Sequence, residues 1–377
     1  MKKKLLASAI ASALVVGVSV EAADVKVSGQ VSRVIVAPDD DAGDELQFLD
    51  NNISGSRFRI KASHDLGNGM KAGSRLEAQL QSNKGNNANG GLKTDTGGNL
   101  SGDDTIDLRY QDIYLSGAFG KVSLGKGDGA GNGTTEVDLS GTYIIAAANA
   151  TDLYGGFLFG DDVGTGILDT NGDEIIADFD VGDFYGEIDA YSRVNRLRYD
   201  SNSFNGLSFA ASYGQQEVAE FAIRFAGDAN GTKYKVAGFV GSRGESAEDA
   251  DNGDDRMGVS GSVILANGLN LTASYSEIDR DVSTAEDREN MWVKLGYKTG
   301  KHAFAIDYGE TETTDNASLN VDGNTFVDAD SETIGVSYVF APAKGVELFA
   351  GYREYSLDDF EGQTDPEFYT VGSRVKF

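Results

Sequence analysis

The chain has 377 residues, with 49 Gly, 3 Pro and no Cys, and carries a formal charge of −28 with a pI near 4.3. Without cysteine there are no disulfides, thiolate metal sites or cysteine nucleophiles. The acidic balance argues against a nucleic-acid partner, because gripping phosphates takes a basic surface; plain solvation or a high-salt habitat would account for it as well.

At the N-terminus Met1-Lys-Lys-Lys4 is basic, Leu5 to Val20 is apolar, and Val20-Glu21-Ala22 offers small or neutral residues at the −3 and −1 positions of a cut before Ala23. This is the pattern of a secretory signal peptide over residues 1–22, leaving 23–377 as the mature chain. A membrane anchor is the alternative, but an apolar run of sixteen is short for a span of about twenty. No other stretch approaches the length of a membrane helix. The mature protein is therefore expected to be either soluble outside the cytoplasm or a membrane β-barrel, whose strands are only half apolar.

From Asp24 onward the chain alternates apolar and polar residues with period two. In Leu207-Ser-Phe209-Ala-Ala211-Ser-Tyr213 the odd positions are apolar or aromatic and Ser208 and Ser212 face away; Ile334, Val336, Tyr338 and Phe340 alternate with Thr333, Gly335 and Ser337. Sixteen such strands are predicted, at 24–36, 55–66, 69–83, 105–117, 120–126, 191–202, 206–216, 217–227, 232–243, 255–265, 268–280, 288–299, 301–313, 331–341, 344–357 and 367–377. The connections alternate too. Short turns such as Gly67-Asn68-Gly69, Asn205-Gly206, Asn230-Gly231 and Asn267-Gly268 suit tight hairpins, since both central residues tolerate positive φ. The others are long and acidic, apart from a short outer connection near Gln215-Gln216. Short turns on one rim and long loops on the other describe an all-β, 16-stranded antiparallel transmembrane β-barrel, with short periplasmic turns and long extracellular loops. A sheet can span a bilayer only if it closes on itself, and sixteen strands leave a water-filled lumen.

Between Asp128 and Ala190 the alternation stops. The segment is Gly-rich, acidic and turn-prone, and it reads as a long loop folded into the mouth of the barrel, narrowing the lumen. Within it, Asp169-Thr-Asn171-Gly-Asp173 has the 1-3-5 spacing of a calcium loop with Asp180 at position 12, but Glu174 stands where such a loop needs Gly. A solvated acidic loop is the competing account. At the far end Tyr369, Val371, Val375 and Phe377 share one face of the last strand with Ser373, opposite Thr370, Arg374 and Lys376.

Ser56-Arg57-Phe-Arg59-Ile-Lys61-Ala-Ser-His64-Asp-Leu66-Gly-Asn-Gly69, Arg109-Tyr-Gln-Asp-Ile113-Tyr-Leu115-Ser-Gly117-Ala-Phe119-Gly and Asn195-Arg-Leu197-Arg-Tyr199-Asp-Ser201-Asn-Ser-Phe204-Asn-Gly206 resemble the trimeric general diffusion porins of the Gram-negative outer membrane. With the terminal Phe377 the resemblance covers the whole mature chain. It departs at Lys126, where such porins usually carry Arg, and in a third loop that is longer than usual and lacks a Pro-Glu-Phe-Gly-like segment. The resemblance implies a homotrimer in the bacterial outer membrane, contact with outer-membrane lipid and lipopolysaccharide, and recognition by the barrel-assembly machinery through the strand ending in Phe377. It also implies a third loop whose acids face arginines across the pore. Position by position, Arg57, Arg59 and Lys61 on the second strand, Arg75 on the third, Arg109 on the fourth, and Arg196 and Arg198 on the sixth are expected to face the lumen. Glu136 and Asp138 are the opposing loop acids. Lipid exposure of such a charge at mid-membrane would cost about 2–4 kcal/mol; solvating the wall or holding the loop are the plainer roles.

The expected function is a passive pore for ions and small hydrophilic solutes, with no cofactor, no metal and no turnover; a substrate-selective channel for a sugar, oligosaccharide or anion is the alternative on the same fold. The acidic outer loops would enrich cations at the mouth, against the pull of the lumenal arginines. An outer-membrane hydrolase is a rival, but the two histidines, His64 and His302, both map beside short inner turns. A soluble secreted β-protein is the other.

Overall fold

A computed structural model describes residues 23–39, 46–85, 105–157, 159, 163–168, 174–177, 180–244, 253–280, 287–314, 330–358 and 365–377. The expected leader at 1–22 lies outside them, as do Asp161, Asp162 and the Asp169–Asp173 run.

The strands in chain order are β1 (Asp24–Asp39), β2 (Gln47–Asp50), β3 (Arg57–Gly67), β4 (Met70–Gln81), β5 (Thr105–Gly117), β6 (Gly120–Asp128), β7 (Val163–Leu168), β8 (Glu174–Ala177), β9 (Arg193–Asp200) and β10 (Leu207–Gly214). They continue with β11 (Ala219–Ala229), β12 (Thr232–Arg243), β13 (Asp254–Ile264), β14 (Leu269–Arg280), β15 (Asp287–Thr299), β16 (His302–Thr314), β17 (Ser331–Ala343), β18 (Val346–Leu357) and β19 (Glu367–Lys376). All except β7 and β8 join one antiparallel sheet in which each strand pairs with its sequence neighbours, β6 meets β9, and β1 meets β19 to close the ring. One edge of β1 serves two partners, β3 along its first half and β2 along its second. A 3-10 turn at Asn52–Ser54 separates β2 from β3, so the two form one interrupted stave and the barrel has sixteen staves.

Ring closure is what lets half-apolar strands exist in lipid, because every ladder N–H and C=O then finds a partner within the wall. The side chains sort accordingly. On β16, Ala303, Ala305, Asp307 and Thr311 are buried toward the lumen while Phe304 and Ile306 are 46% and 48% exposed. Val236, Leu271, Leu295 and Val336 stand out in the same way on their strands. Apolar exposure on this scale marks a lipid-facing surface. At the inner rim Asn230 (φ 53°) and Gly231 (φ 80°) both take positive φ, which is the twist a two-residue hairpin turn requires.

Three features depart from the sequence expectation. The stave expected as 55–66 is broken and gains β2. The segment 129–192 is not devoid of structure: β7 pairs with β8, and single-turn helices occupy α1 (Thr151–Tyr154) and α2 (Val181–Phe184). Finally, β5 carries a bulge at Arg109, opposite Glu77 and Ala78 of β4. Ile113 and Leu108 both point outward, 59% and 42% exposed, which strict alternation forbids. The extra residue flips the phase and turns both Arg109 and Tyr110 into the lumen.

Val293, midway along β15 and 38% exposed on its outer face, tests the lipid-facing assignment. Val293→Arg is expected to lower unfolding stability in phospholipid vesicles by about 2–4 kcal/mol, measured by urea titration; an unchanged midpoint would place that face in water.

Candidate functional site

The described residues of the loop between 129 and 192 fold into the lumen, and the wall is built to receive them. Buried backbone N–H groups need partners, and inward hydroxyls on the strands provide them. Ala130 donates to Ser212 Oγ, Val137 to Ser260 Oγ, Leu139 to Ser262 Oγ, Ile188 to Ser276 Oγ and Gly186 to Thr311 Oγ1, at 2.8–3.2 Å. Wall glycines leave room for loop side chains: a Cβ on Gly309 would overlap the Tyr185 hydroxyl, and one on Gly351 would stand 3.0 Å from Ile145 Cγ1.

One side of the loop is apolar. Ile144, Ile145, Leu153, Tyr154, Phe157, Val181, Phe184 and Tyr185 are buried against Val34, Val36, Leu49, Val339, Phe349, Tyr355, Leu357 and Phe368 of the wall. Tyr154 stacks on Phe368 at 4.9 Å between ring centres and shares a 2.9 Å hydrogen bond with Thr370. Burying side chains of this size contributes roughly 1.5–3 kcal/mol each relative to exposure, so the loop is held by a core of its own against β1, β2 and β16 to β19.

The other side of the loop is acidic and faces the opposite wall across a cavity of about 450 Å³. Glu136, Asp152, Glu187 and Asp189 line it from the loop; Arg57, Arg109, Arg193, Gln79 and Gln81 line it from β3, β5, β9 and β4. The arginines are ordered by carboxylates in the wall itself. Glu77, whose side chain is fully buried, pairs with Arg59, with Arg109 Nε at 3.0 Å and with Arg57 Nη1 at 3.9 Å. Asp128 accepts from Tyr110 at 2.5 Å and pairs with Arg193 at 3.3 Å. Arg75 lies 3.3 Å over the Tyr110 ring and reaches Asp112 at 3.3 Å. Among the described residues no ion pair joins the four loop acids to these arginines, so the two charged faces oppose each other across open space.

Crowding alters the loop acids. Withdrawal from bulk water, then the charge of Glu136, pushes Asp152 up to about 7, and the same two causes push Asp189 up to about 7. Burial and then Asp189 hold Glu187 well above the ordinary carboxylate range. Burial also raises Glu136, against a hydrogen bond from Tyr143 and the nearby Arg193.

Of the residues singled out from sequence, Arg57, Arg109 and Glu136 line this cavity, and Arg59 joins it through Glu77. Lys61 and Arg75 lie closer to the inner turns, around a separate cavity. Arg196, 4% exposed, spends its donors on Asp128 O, Gly125 O and Asp112 at 2.8–3.0 Å. Arg198 holds Asp200 and Gly129 O; together the two brace the root of the loop. Asp138 turns away from the cavity and pairs with Lys294 of β15, which is buried and also donates to Ala146 O at 2.7 Å. Asp180, the last member of the supposed calcium loop, forms a reciprocal capping box with Asp183 at the start of α2. His302 shares a 2.8 Å hydrogen bond with the Tyr338 hydroxyl and stacks on Phe340 at 5.0 Å beside the inner turn. Sequence reasoning missed Asp152, Glu187, Asp189 and Arg193. A signal was present for two of them: in Glu187-Ile188-Asp189-Ala190 the apolar members are buried, 8% and 3% exposed, so the acids alternate toward the lumen.

A family model described as Gram-negative porin matches residues 7–359. No curated protein matches the chain. Among solved structures, the fold resembles the anion-selective porin from Comamonas acidovorans, at TM-score 0.61 and 14% identity over 94% of this chain and 100% of that one. It also resembles OmpT of Vibrio cholerae in a trimer form, at 0.57 and 14% over 95% and 100%, and Salmonella typhi OmpF in complex with daunomycin, at 0.54 and 15% over 94% and 97%. At these identities the likeness is one of fold.

The Lys294–Asp138 pair gives a test of how the loop is anchored. Lys294→Met leaves a buried carboxylate without its cation and is expected to cost about 3–5 kcal/mol, read by urea unfolding in vesicles. Lys294→Met with Asp138→Leu should recover most of that loss; equal costs for the single and double variants would show that the pair does not couple.

Proposed function

The chain belongs to the Gram-negative porin family, an outer-membrane channel and not an enzyme, and from that premise we propose a homotrimeric passive pore for ions and small hydrophilic solutes. Its constriction lies between Glu136, Asp152, Glu187 and Asp189 on the loop and Arg57, Arg59, Arg109 and Arg193 on the wall. One observation carries this reading: a face of carboxyl groups and a face of arginines meet across the cavity of about 450 Å³ with no ion pair between them among the described residues. A field of this kind orients dipolar solutes, rejects apolar ones and tunes ion preference. Lys61, Arg75, Arg196 and Arg198 extend or stiffen the basic wall, and Asp138 holds the loop in place.

The outer surface supports the trimer. On β1, β4 and β5 the outward side chains include Val27, Val31, Leu76, Leu108 and Ile113, with Phe48 of β2 and Phe58 of β3 between them, whereas on later strands aliphatics such as Val236 and Leu271 are interspersed with Tyr213, Phe221, Tyr297, Phe304 and Tyr369. Aromatics are enriched at the lipid interface, so the sector poorer in them is where another copy would pack. Phe377, 68% exposed, is stitched to Gly29 by two backbone hydrogen bonds of 2.9 and 3.0 Å, and presents a terminal aromatic to the assembly machinery. Contact with lipopolysaccharide follows from the outer-leaflet position of the loops.

Solute flux and zero-current potentials in planar bilayers test the pore. Asp152 and Asp189 titrate near 7, so they are mostly ionised at pH 8 and mostly protonated at pH 6, while the arginines keep their charge. Cation preference is therefore expected to fall as pH drops from 8 to 6, and Asp152→Asn with Asp189→Asn should flatten the profile. A profile unchanged by that double variant would remove these acids from the constriction, and saturable block by one sugar would favour a substrate-selective channel instead. Ile113→Arg is expected to convert SDS-resistant trimers to folded monomers on a gel; intact trimers would move the interface elsewhere.

A further inference from the structure

A second charged cavity lies on the inner side of the constriction. It measures about 280 Å³ and is lined by Lys61 of β3, Arg75 of β4, Asp112 and Tyr114 of β5, and Lys121 of β6. Its level follows from the turns: Lys121 is the second residue of the strand after the inner turn at 118–119, and Lys61 and Arg75 stand symmetrically about the inner turn at 68–69.

The positive charge here exceeds what the wall can neutralise. Lys61 and Arg75 are direct cross-strand partners, and like charges so placed destabilise a sheet. Asp112 is shared between Arg75 at 3.3 Å and Arg196 at 3.0 Å, and Asp200 between Arg198 at 2.6 Å and Lys121 at 3.6 Å. Each of these carboxylates thus answers two cations. Lys61 enters no ion pair among the described residues, and its side chain is exposed to the lumen. The floor is shaped as well as charged. Lys121 Nζ lies 5.9 Å from the centre of the Tyr114 ring, and that ring fits against the wall because Gly73 has no side chain: a Cβ there would stand 2.5 Å from the Tyr114 hydroxyl.

We propose that Lys61, Arg75 and Lys121 form an anion-binding station below the constriction, suited to a small phosphate-type oxyanion. An oxyanion there would separate the opposed Lys61 and Arg75 charges and take hydrogen bonds from both lysines. It would hold the solute briefly after it has passed the constriction. The inference rests on the porin reading.

The test uses the reconstituted channel in planar bilayers at about 0.1 M KCl, where charges a few ångströms apart are still weakly screened, with inorganic phosphate added on the inner side. Chloride current should fall saturably with phosphate. The half-effect concentration should rise about tenfold in Lys61→Gln and further in Lys61→Gln with Lys121→Gln, as expected for removing charges that act at short range. Lys301→Gln, at the inner rim, should match the parent. Unchanged chloride current in the parent, or equal half-effect concentrations in all variants, overturns the station. Conductance in 1 M KCl separates the two claims: a channel that conducts but ignores phosphate defeats only the station, whereas a chain that passes no current defeats the porin reading beneath it.

Discussion

A strand in lipid has nowhere to leave an unpaired N–H or C=O, and this constraint shapes the whole chain. It forces the last strand back onto the first, with β19 paired to β1 from Gln30–Lys376 to Asp39–Glu367, and it keeps the outer surface apolar while the inner surface is free to be polar where it meets water. Even the final residue is used, as Phe377 and Gly29 exchange both backbone bonds. The one broken stave, between β2 and β3, occurs where the inward loop and the Asn52–Ser54 turn meet: Asn51 Nδ2 donates to Ile144 O at 2.8 Å. The wall bridges its own gap there, Ser32 N donating to Ser56 Oγ at 3.0 Å and Asn51 N to Ser32 O at 3.4 Å.

Once the ring is closed, its inside is a second folding problem. Water would fill a lumen of this size unless something with its own apolar surface occupied part of it. The segment 129–192 does so with one-sided chemistry. Its apolar side chains pack on β1, β2 and β16 to β19, and its backbone bonds to wall hydroxyls on β10, β13, β14 and β16. Beneath it the Arg353–Asp307 pair, 2.5 Å apart and almost fully buried, is sealed from water. The open part of the lumen is therefore displaced toward β3 to β6 and β9, where the arginines stand. The proposed constriction is a consequence of that asymmetry: it sets the loop's acidic side opposite the basic wall.

The wall arginines are not interchangeable in this arrangement. Arg196 and Arg198 direct guanidinium donors to backbone carbonyls at the root of the loop, a task suited to a rigid fork of donors. Arg59, Arg109 and Arg57 gather on the buried Glu77, which fixes their heads in place. Lys61 and Lys121 have fewer partners and look inward from lower on the wall, where the proposed anion station lies.

The sequence by itself determined the barrel. Period-two alternation, turn pairs such as Asn230-Gly231 and the split between short and long connections are local properties, and they located the sixteen staves within a few residues, except that the stave expected as 55–66 also takes in β2. They also decided which way Arg57, Arg59, Lys61 and Arg75 point, because facing is set by parity along a strand. Tertiary structure decided the rest. Parity alone would have put Arg109 on the outer face with Ile113; a bulge against β4 turns it inward. Asp138 and Glu136 are two residues apart and look alike in sequence, yet one meets Lys294 on the wall and the other lines the cavity. Asp152, Glu187 and Asp189 come together from distant parts of a loop whose path follows buried apolar contacts with strands up to two hundred residues away. Beyond the short alternation at 187–190 the loop has no repeat whose parity could be read, so the placement of its charges waits on what it packs against.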